Sequence, residues 1–384
     1  NAPQIAGLRI IFDLPAVGIN ILITWLVLVG VKESKNVSNL MVIIKLVIIG
    51  LVIIVGAFYI DIDNWKPFLP NGFGGVMAGV SSVFFAFIGF DAVSTLAEEC
   101  KNPQRDLPRG MILSLLISTI IFVILALVLT GMAVYSSLNV PDPLADIFRM
   151  KGVKWMLYIV SVSAVVAMTS VILVFQMGQP RIWMTMSRDG LLPKRFSSIH
   201  PKYKTPAFST IVTGLVVGIP IFFTDRNFIL DFTSIGTLFA FTLVCGGVLV
   251  LPRRQRVTND GKFYMPYVNA KYILAPLVIV AFALILILKP SYFPDLLTVN
   301  EGNAVQSIPM IIFFVLCLVM SVLSFLKDLS LIPVLGFLSC MYLFTGFSIP
   351  NWKWFGSWLV IGLVVYFLYG FRKSRLALAN KTAS

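Results

Sequence analysis

Apolar runs of about twenty residues alternate with short polar stretches along almost the whole chain. About 20 mainly apolar residues is what one helix needs to cross the ~30 Å hydrocarbon core of a bilayer. Eleven such stretches stand out: 14–31, 37–59, 76–97, 108–134, 153–179, 206–224, 229–251, 272–288, 307–326, 331–349 and 354–371. The pattern predicts an all-α integral membrane protein with about eleven spanning helices. A shorter stretch, SSLNVPDPLADIFRMKG at 136–152, reads as a helix lying on the surface. The longest polar pieces, 180–205 and 252–271, are too short to form a domain with its own core. Residues 1–384 therefore read as one transmembrane domain.

Composition sharpens that picture. Of the 384 residues 58% are hydrophobic and only 12% charged, with a mean hydropathy of +0.93. A soluble domain this apolar would expose more hydrophobic surface than water tolerates. The net charge of +13 reads as loop orientation, and nucleic acid is not expected as a partner. When the loops are assigned alternately to two sides, 21 of the 30 Lys and Arg fall on one side and 8 on the other, with Lys45 left over in mid-span. The richer side belongs in the cytoplasm. Residue 1 is then outside, the C-terminus is cytoplasmic, and the expected location is the plasma membrane. Three cysteines sit in apolar runs and Cys100 in a loop, without metal-ligand spacing. No metal or cofactor is expected. The chain starts with Asn rather than Met and shows no signal-peptide pattern, so a truncated N-terminus is expected.

A few polar residues interrupt the apolar runs. Lys45 lies in NLMVIIKLVIIGLVIIVG. A lysine at the bilayer centre costs about 2.5–3.5 kcal/mol on insertion scales. Two readings are open: a proton-titrating or ion-substituting group, or a fixed ammonium bonded to a neighbouring helix. In SVFFAFIGFDAVS, Gly89 and Asp91 suggest two half-helices around a break. Asp91 would cap the second half by accepting from amides two or three residues on. The carbonyls of Phe85, Ala86 and Ile88 would then attract a cation such as an ammonium group. The competing reading is a continuous helix that reaches water at Asp91. Glu98 and Glu99 are either solvated loop charges or a gate pairing with a basic residue such as Arg188. Thr169 and Ser170 serve helix packing or help coordinate a cation. Ser163 and Ser170 share a helical face. His200 is the one histidine, and no nucleophile–base pair points to an enzyme.

Four stretches carry a resemblance: NLMVIIKL (39–46), VFFAFIGFDAVSTLAEECKNPQRDLPRGM (83–111), MSRDGLLPKRF (186–196) and IPNWKWFGSWLVIGLVVYFLYG (349–370). In these the chain resembles the amino acid–polyamine–organocation transporter superfamily, in its cationic amino acid transporter branch. The resemblance covers nearly the whole chain and is weakest at 257–330. It implies a fold of two inverted five-helix repeats with extra C-terminal helices. The eleven spans would be helices four to fourteen of it, and 272–326 an extra helix pair. It implies alternating access around a broken sixth helix and import of L-amino acids, with cationic ones as one option, driven by protons.

Its site residues follow by position. The carbonyls of Phe85, Ala86 and Ile88 would hold the substrate ammonium beside Gly89, with Phe85 also closing the site. Lys45 would stand where related carriers bind sodium, with Thr169 and Ser170 as partners. Glu98 would match an acidic residue needed for transport. Phe122 falls where some bacterial members have a polar aromatic, so side-chain specificity would differ there. The substrate, protons and the bilayer are the implied partners, with room for a small membrane subunit or a homo-oligomer. An exchanger without proton coupling and a membrane-embedded amino acid sensor are the alternatives.

Overall fold

The computed structural model describes residues 4–5, 8–9, 14–30, 34–140, 142–222, 226–251, 266–288, 290–298 and 304–374. It is almost entirely helical. The β-structure among the described residues is a two-residue ribbon pairing Gln4–Ile5 with Leu8–Arg9 and a single bridge between Asn269 and Ser330. Every predicted span has its helix: α1 Leu14–Val29, α2 Ser34–Ala57, α3 Gly72–Phe87, α4 Pro103–Met132, α6 Lys154–Arg188, α7 Ala207–Gly218, α8 Arg226–Val250, α9 Leu274–Leu288, α11 Ala304–Lys327, α12 Leu331–Phe344 and α13 Ile349–Val365. The predicted surface helix is α5, Pro143–Met150, and a short α10, Tyr292–Leu297, links α9 to α11. Among the described residues, six helices are long and apolar enough to cross a membrane, and five shorter apolar ones accompany them.

The boundaries depart from the hydropathy reading where polar residues extend a helix or a turn ends it early. α4 starts five residues before the expected 108, because Pro103 fits the first helical position. α6 runs through Gln179 and Pro180 to Arg188. Its 35 residues measure about 52 Å at 1.5 Å per residue, well beyond the hydrocarbon core. The expected span 76–97 is two elements: α3 stops at Phe87 and a 3-10 helix covers Phe90–Glu99.

The chain divides into two compact units. The first holds residues 1–72, 89–224 and 362–384; the second holds 73–88 and 225–361. The first is organised around α6. Its hydrophobic core joins Val52 of α2, Val128 and Met132 of α4, Ile147 and Phe148 of α5 and Met156 and Val160 of α6. α5 is specified locally. Asp142 accepts from the Ala145 N–H (3.3 Å), Pro143 begins the helix and Arg149 pairs with Asp146 at 2.8 Å. Gly152, at φ +73°, turns the chain into α6, and the Val153 N–H reaches back to the Phe148 carbonyl.

A polar chain ties α1, α6 and α7 together. Asn20 Nδ2 donates to the Gly214 carbonyl (3.0 Å), Thr24 Oγ1 to the Asn20 carbonyl (2.7 Å) and Gln176 Nε2 to Thr24 Oγ1 (2.9 Å). Gly214 lets the helices close. A β carbon there would sit 2.7 Å from Thr24 Cγ2 and 2.7 Å from Thr24 Oγ1, whereas one at Gly18 would meet nothing within 4 Å. Overpacking of this kind costs about 1–3 kcal/mol. Gly214→Val is therefore expected to lower the unfolding midpoint in detergent, while Gly18→Val leaves it in place. Equal midpoints for the two variants would show that the seam is not close-packed.

In the second unit, α8 packs chiefly on α12. Ile235 and Leu238 meet Cys340, Leu343 and Phe344 there, with Phe355 of α13. Tyr342 Oη donates to the Met77 carbonyl (3.2 Å), and Phe84 stands edge-on to Phe241, so α3 is fastened into this unit. A second core, with Leu274, Val278, Met320, Val334 and Leu338, joins α9, α11 and α12.

Candidate functional site

α3 ends at Phe87, in the middle of the apolar stretch 76–97. The Ile88 N–H donates to the Phe85 carbonyl (3.1 Å), a tighter turn than the α-helical ladder. Gly89 follows at φ +122°, a conformation open to glycine and strained for other residues. The Ala92 N–H then donates to the Gly89 carbonyl (3.1 Å) and the 3-10 helix begins. The continuous-helix reading is thus set aside. Space does not require the glycine, because a β carbon there would meet only Phe175 Cζ, at 3.8 Å. The backbone does. The carbonyls of Phe85 and Ala86 lie in the last turn of α3, and that of Ile88 in the turn that follows. The end of a helix carries partial negative charge.

Asp91 acts in the opposite direction from the cap expected of it. Its Oδ1 accepts from the Gly89 N–H behind it, at 3.1 Å. The reason is local. The 3-10 helix starts at Phe90, so Asp91 already lies inside its first turn, and the positive φ of Gly89 aims that N–H at the carboxylate. Asp91 fastens the break itself.

Lys45 projects from α2 toward α6, where its Nζ donates to Ser170 Oγ at 2.7 Å. The Ser170 side is buried. Among the described residues no carboxylate pairs with Lys45. Lys45 and Ser170 are thus brought together, in the first unit. Thr169 is not part of that bond; its Oγ1 donates to the Val165 carbonyl of its own helix (2.8 Å). Phe122 lies on the part-exposed face of α4, and Phe85 is similarly part-exposed on α3. Glu98 and Glu99 fall in the 3-10 helix; their side chains lie outside the described ones.

Two features escaped the sequence reading. Phe175, over the break, looked like one more apolar residue of α6. Asp231 lies in the apolar stretch of α8 and accepts from Asn351 Nδ2 of α13 at 2.6 Å. Its signal was visible, as a carboxylate within FILDFTS facing an asparagine in IPNWKW.

Comparison with known proteins gives this architecture a family. The family described as Amino acid permease matches residues 3–315. The branched-chain amino acid permease BcaP of Bacillus subtilis (strain 168) is 36% identical over 373 residues, covering 97% of this chain and 67% of that protein. The methylthioribose transporter of the same organism is 42% identical over 258 residues, 67% of this chain and 56% of that protein. Cationic amino acid transporter 4 of Homo sapiens is 30% identical over 423 residues, 94% of this chain and 66% of that protein. The chain thus spans about half to two thirds of the length of these relatives, which are permeases and transporters, not enzymes. With its many apolar helices and a match over most of its length, the chain belongs to the amino acid permease family of multi-pass membrane proteins.

Proposed function

We propose that the protein is a secondary active transporter of L-amino acids in the plasma membrane, driven by protons, its two units working as one transport domain. The observation that carries this reading is the break at Ile88–Gly89. A helix end exposed within an apolar stretch offers a substrate ammonium a set of carbonyls, here with the Asp91 carboxylate held close by on the Gly89 N–H. In this reading Phe85, Ala86, Ile88 and Gly89 hold the backbone of the amino acid, and Phe85 closes over it. Phe122 bears on side-chain choice, and Glu98 and Glu99 gate the cytoplasmic face. Lys45, with Ser170 and the neighbouring Thr169, supplies the charge that changes during the cycle. Residue 1 is outside and the C-terminus is cytoplasmic.

A second reading rests on the 42% identity to a methylthioribose transporter. Such a substrate carries no ammonium, and the carbonyls at the break would then have no cation to bind.

The test is uptake by the full chain reconstituted in liposomes, with and without an inward proton gradient. Labelled leucine, alanine, arginine, lysine and methylthioribose are offered separately. Gradient-driven accumulation of an amino acid is the expected result. Uptake only against internal amino acid would identify an exchanger. Binding without flux would identify a sensor. Accumulation of methylthioribose alone would reject the amino acid reading.

A further inference from the structure

We propose that protons reach Lys45 along the seam between α2 and α6, from a small cavity whose mouth is Asp142 and whose wall includes Ser163; this rests on the proton-driven reading above. Lys45, Ile48, Ile49 and Val52 follow one another at three- and four-residue spacing on α2, so they share a face. On α6, Ser170 and Ser163 are seven apart and share one too. The helices run antiparallel along this seam, since Lys45 bonds Ser170 while Val52 shares a core with Val160. Beyond the Lys45–Ser170 bond, toward α5, the seam opens into a cavity of about 130 Å³ lined by Ile48, Ile49, Val52, Leu125, Asp142 and Ser163, among others. That is room for about four waters at ~30 Å³ each. Its floor at Ile48 and Ile49 is one helical turn from Lys45, about 5.4 Å along the axis.

Purely apolar cavities stay dry, and water needs polar partners. This one offers two, the Ser163 hydroxyl and the Asp142 carboxylate. Asp142 is exposed, so it meets bulk water, and its Oδ1 also caps α5. Of the other charged groups near this end, Lys151 is exposed, and in the segment packed on the end of α4 Asp61 is exposed and Asp63 pairs with Lys66 at 2.9 Å. Asp146 is paired with Arg149 at 2.8 Å, and Lys154 and Tyr158 are exposed in the first two turns of α6. Among the described residues of α4, the charged side chains, Arg105, Asp106 and Arg109, all lie in its first two turns. Asp142 is therefore the carboxylate placed to take a proton from water and pass it through the cavity to the Lys45 amine. The amine becomes an ammonium, the carboxylate is restored, and release reverses the transfer.

The experiment uses the full chain with its four natural cysteines replaced by serine. Ser163→Cys is expected to react with a cationic methanethiosulfonate added on the α5 side, several-fold more slowly when combined with Asp142→Asn. Asparagine caps a helix as well as aspartate, so that variant keeps α5 while removing the charge. Asp142→Asn is also expected to slow gradient-driven uptake by roughly tenfold or more, and Asp142→Glu to restore it. An unreactive thiol together with intact proton-driven uptake would overturn the route and leave proton coupling standing. A reactive thiol with uptake indifferent to the gradient would overturn the proton-driven reading and the route with it. Full proton-driven uptake in Asp142→Asn would remove Asp142 from the route.

Discussion

Lys45→Ala is expected to yield a folded protein whose uptake no longer follows the proton gradient. A gradient of one pH unit is worth about 1.4 kcal/mol per proton, or about tenfold in accumulation at one proton per substrate. In proteoliposomes the parent protein should approach that ratio, and the variant should stay near unity. The reasoning starts from placement. Lys45 is a charge in the middle of an apolar helix, held by one neutral hydroxyl, Ser170 Oγ at 2.7 Å. Among the described residues no carboxylate fixes its charge. A structural ammonium in that setting would be a liability of about 2.5–3.5 kcal/mol. Alanine removes the liability along with the charge, so the fold should survive. Ser170→Ala leaves the amine in place without its partner and should weaken coupling without abolishing it. If Lys45→Ala vesicles still track the gradient, the lysine is structural and protons are carried elsewhere.

Gly89→Leu is expected to abolish substrate binding. Gly89→Ala should weaken it by roughly 5- to 150-fold, the equivalent of about 1–3 kcal/mol of backbone strain. The alanine variant separates two causes. A β carbon at this position has room, with Phe175 Cζ at 3.8 Å as its nearest neighbour. Loss of affinity in Gly89→Ala is then due to φ, which must leave +122°. Rotation there also breaks the bond from the Gly89 N–H to Asp91 Oδ1, so the break loses its conformation and its fastening together. Ligand-induced thermal shift with the substrate identified by uptake measures the effect. Parent-level affinity in both variants would place the binding site elsewhere.

Periodicity and hydropathy carried most of the architecture. All eleven apolar stretches became helices, because a backbone in hydrocarbon must satisfy its own hydrogen bonds, and the polar stretch at 136–152 yielded α5. Helix ends were less legible. The extension of α6 to Arg188 lies outside the apolar run, where helix continuation is decided by packing rather than by the membrane. At the candidate site, the residue types at the break and at Lys45 could be read from the sequence, but their partners could not. Ser170, rather than Thr169, receives the lysine because it faces the α2–α6 seam while Thr169 bonds its own helix. The backward reach of Asp91 depends on the φ of Gly89, a backbone angle that no periodicity encodes. The Asn20–Thr24–Gln176 chain was hidden because each member looks like an isolated polar residue until three helices meet.

The place of α3 has a consequence for biosynthesis. Although the first unit flanks it on both sides in the chain, α3 belongs to the second unit, and its tie from Tyr342 to the Met77 carbonyl spans 265 residues. At about 5–20 residues per second of synthesis, α3 waits roughly 13 to 50 s before that partner has been made. Until α8 brings Phe241 beside Phe84, neither of these two anchors of the glycine-rich α3 exists. Insertion of α3 is thus separated in time from its docking. A ribosome-stalled intermediate ending before α8 should therefore contain α3 inserted and open to cross-linking by lipid at Met77 and Phe84, and the full-length chain should lose that accessibility at these two positions, where Tyr342 and Phe241 dock, while Phe73 and Val76 stay exposed.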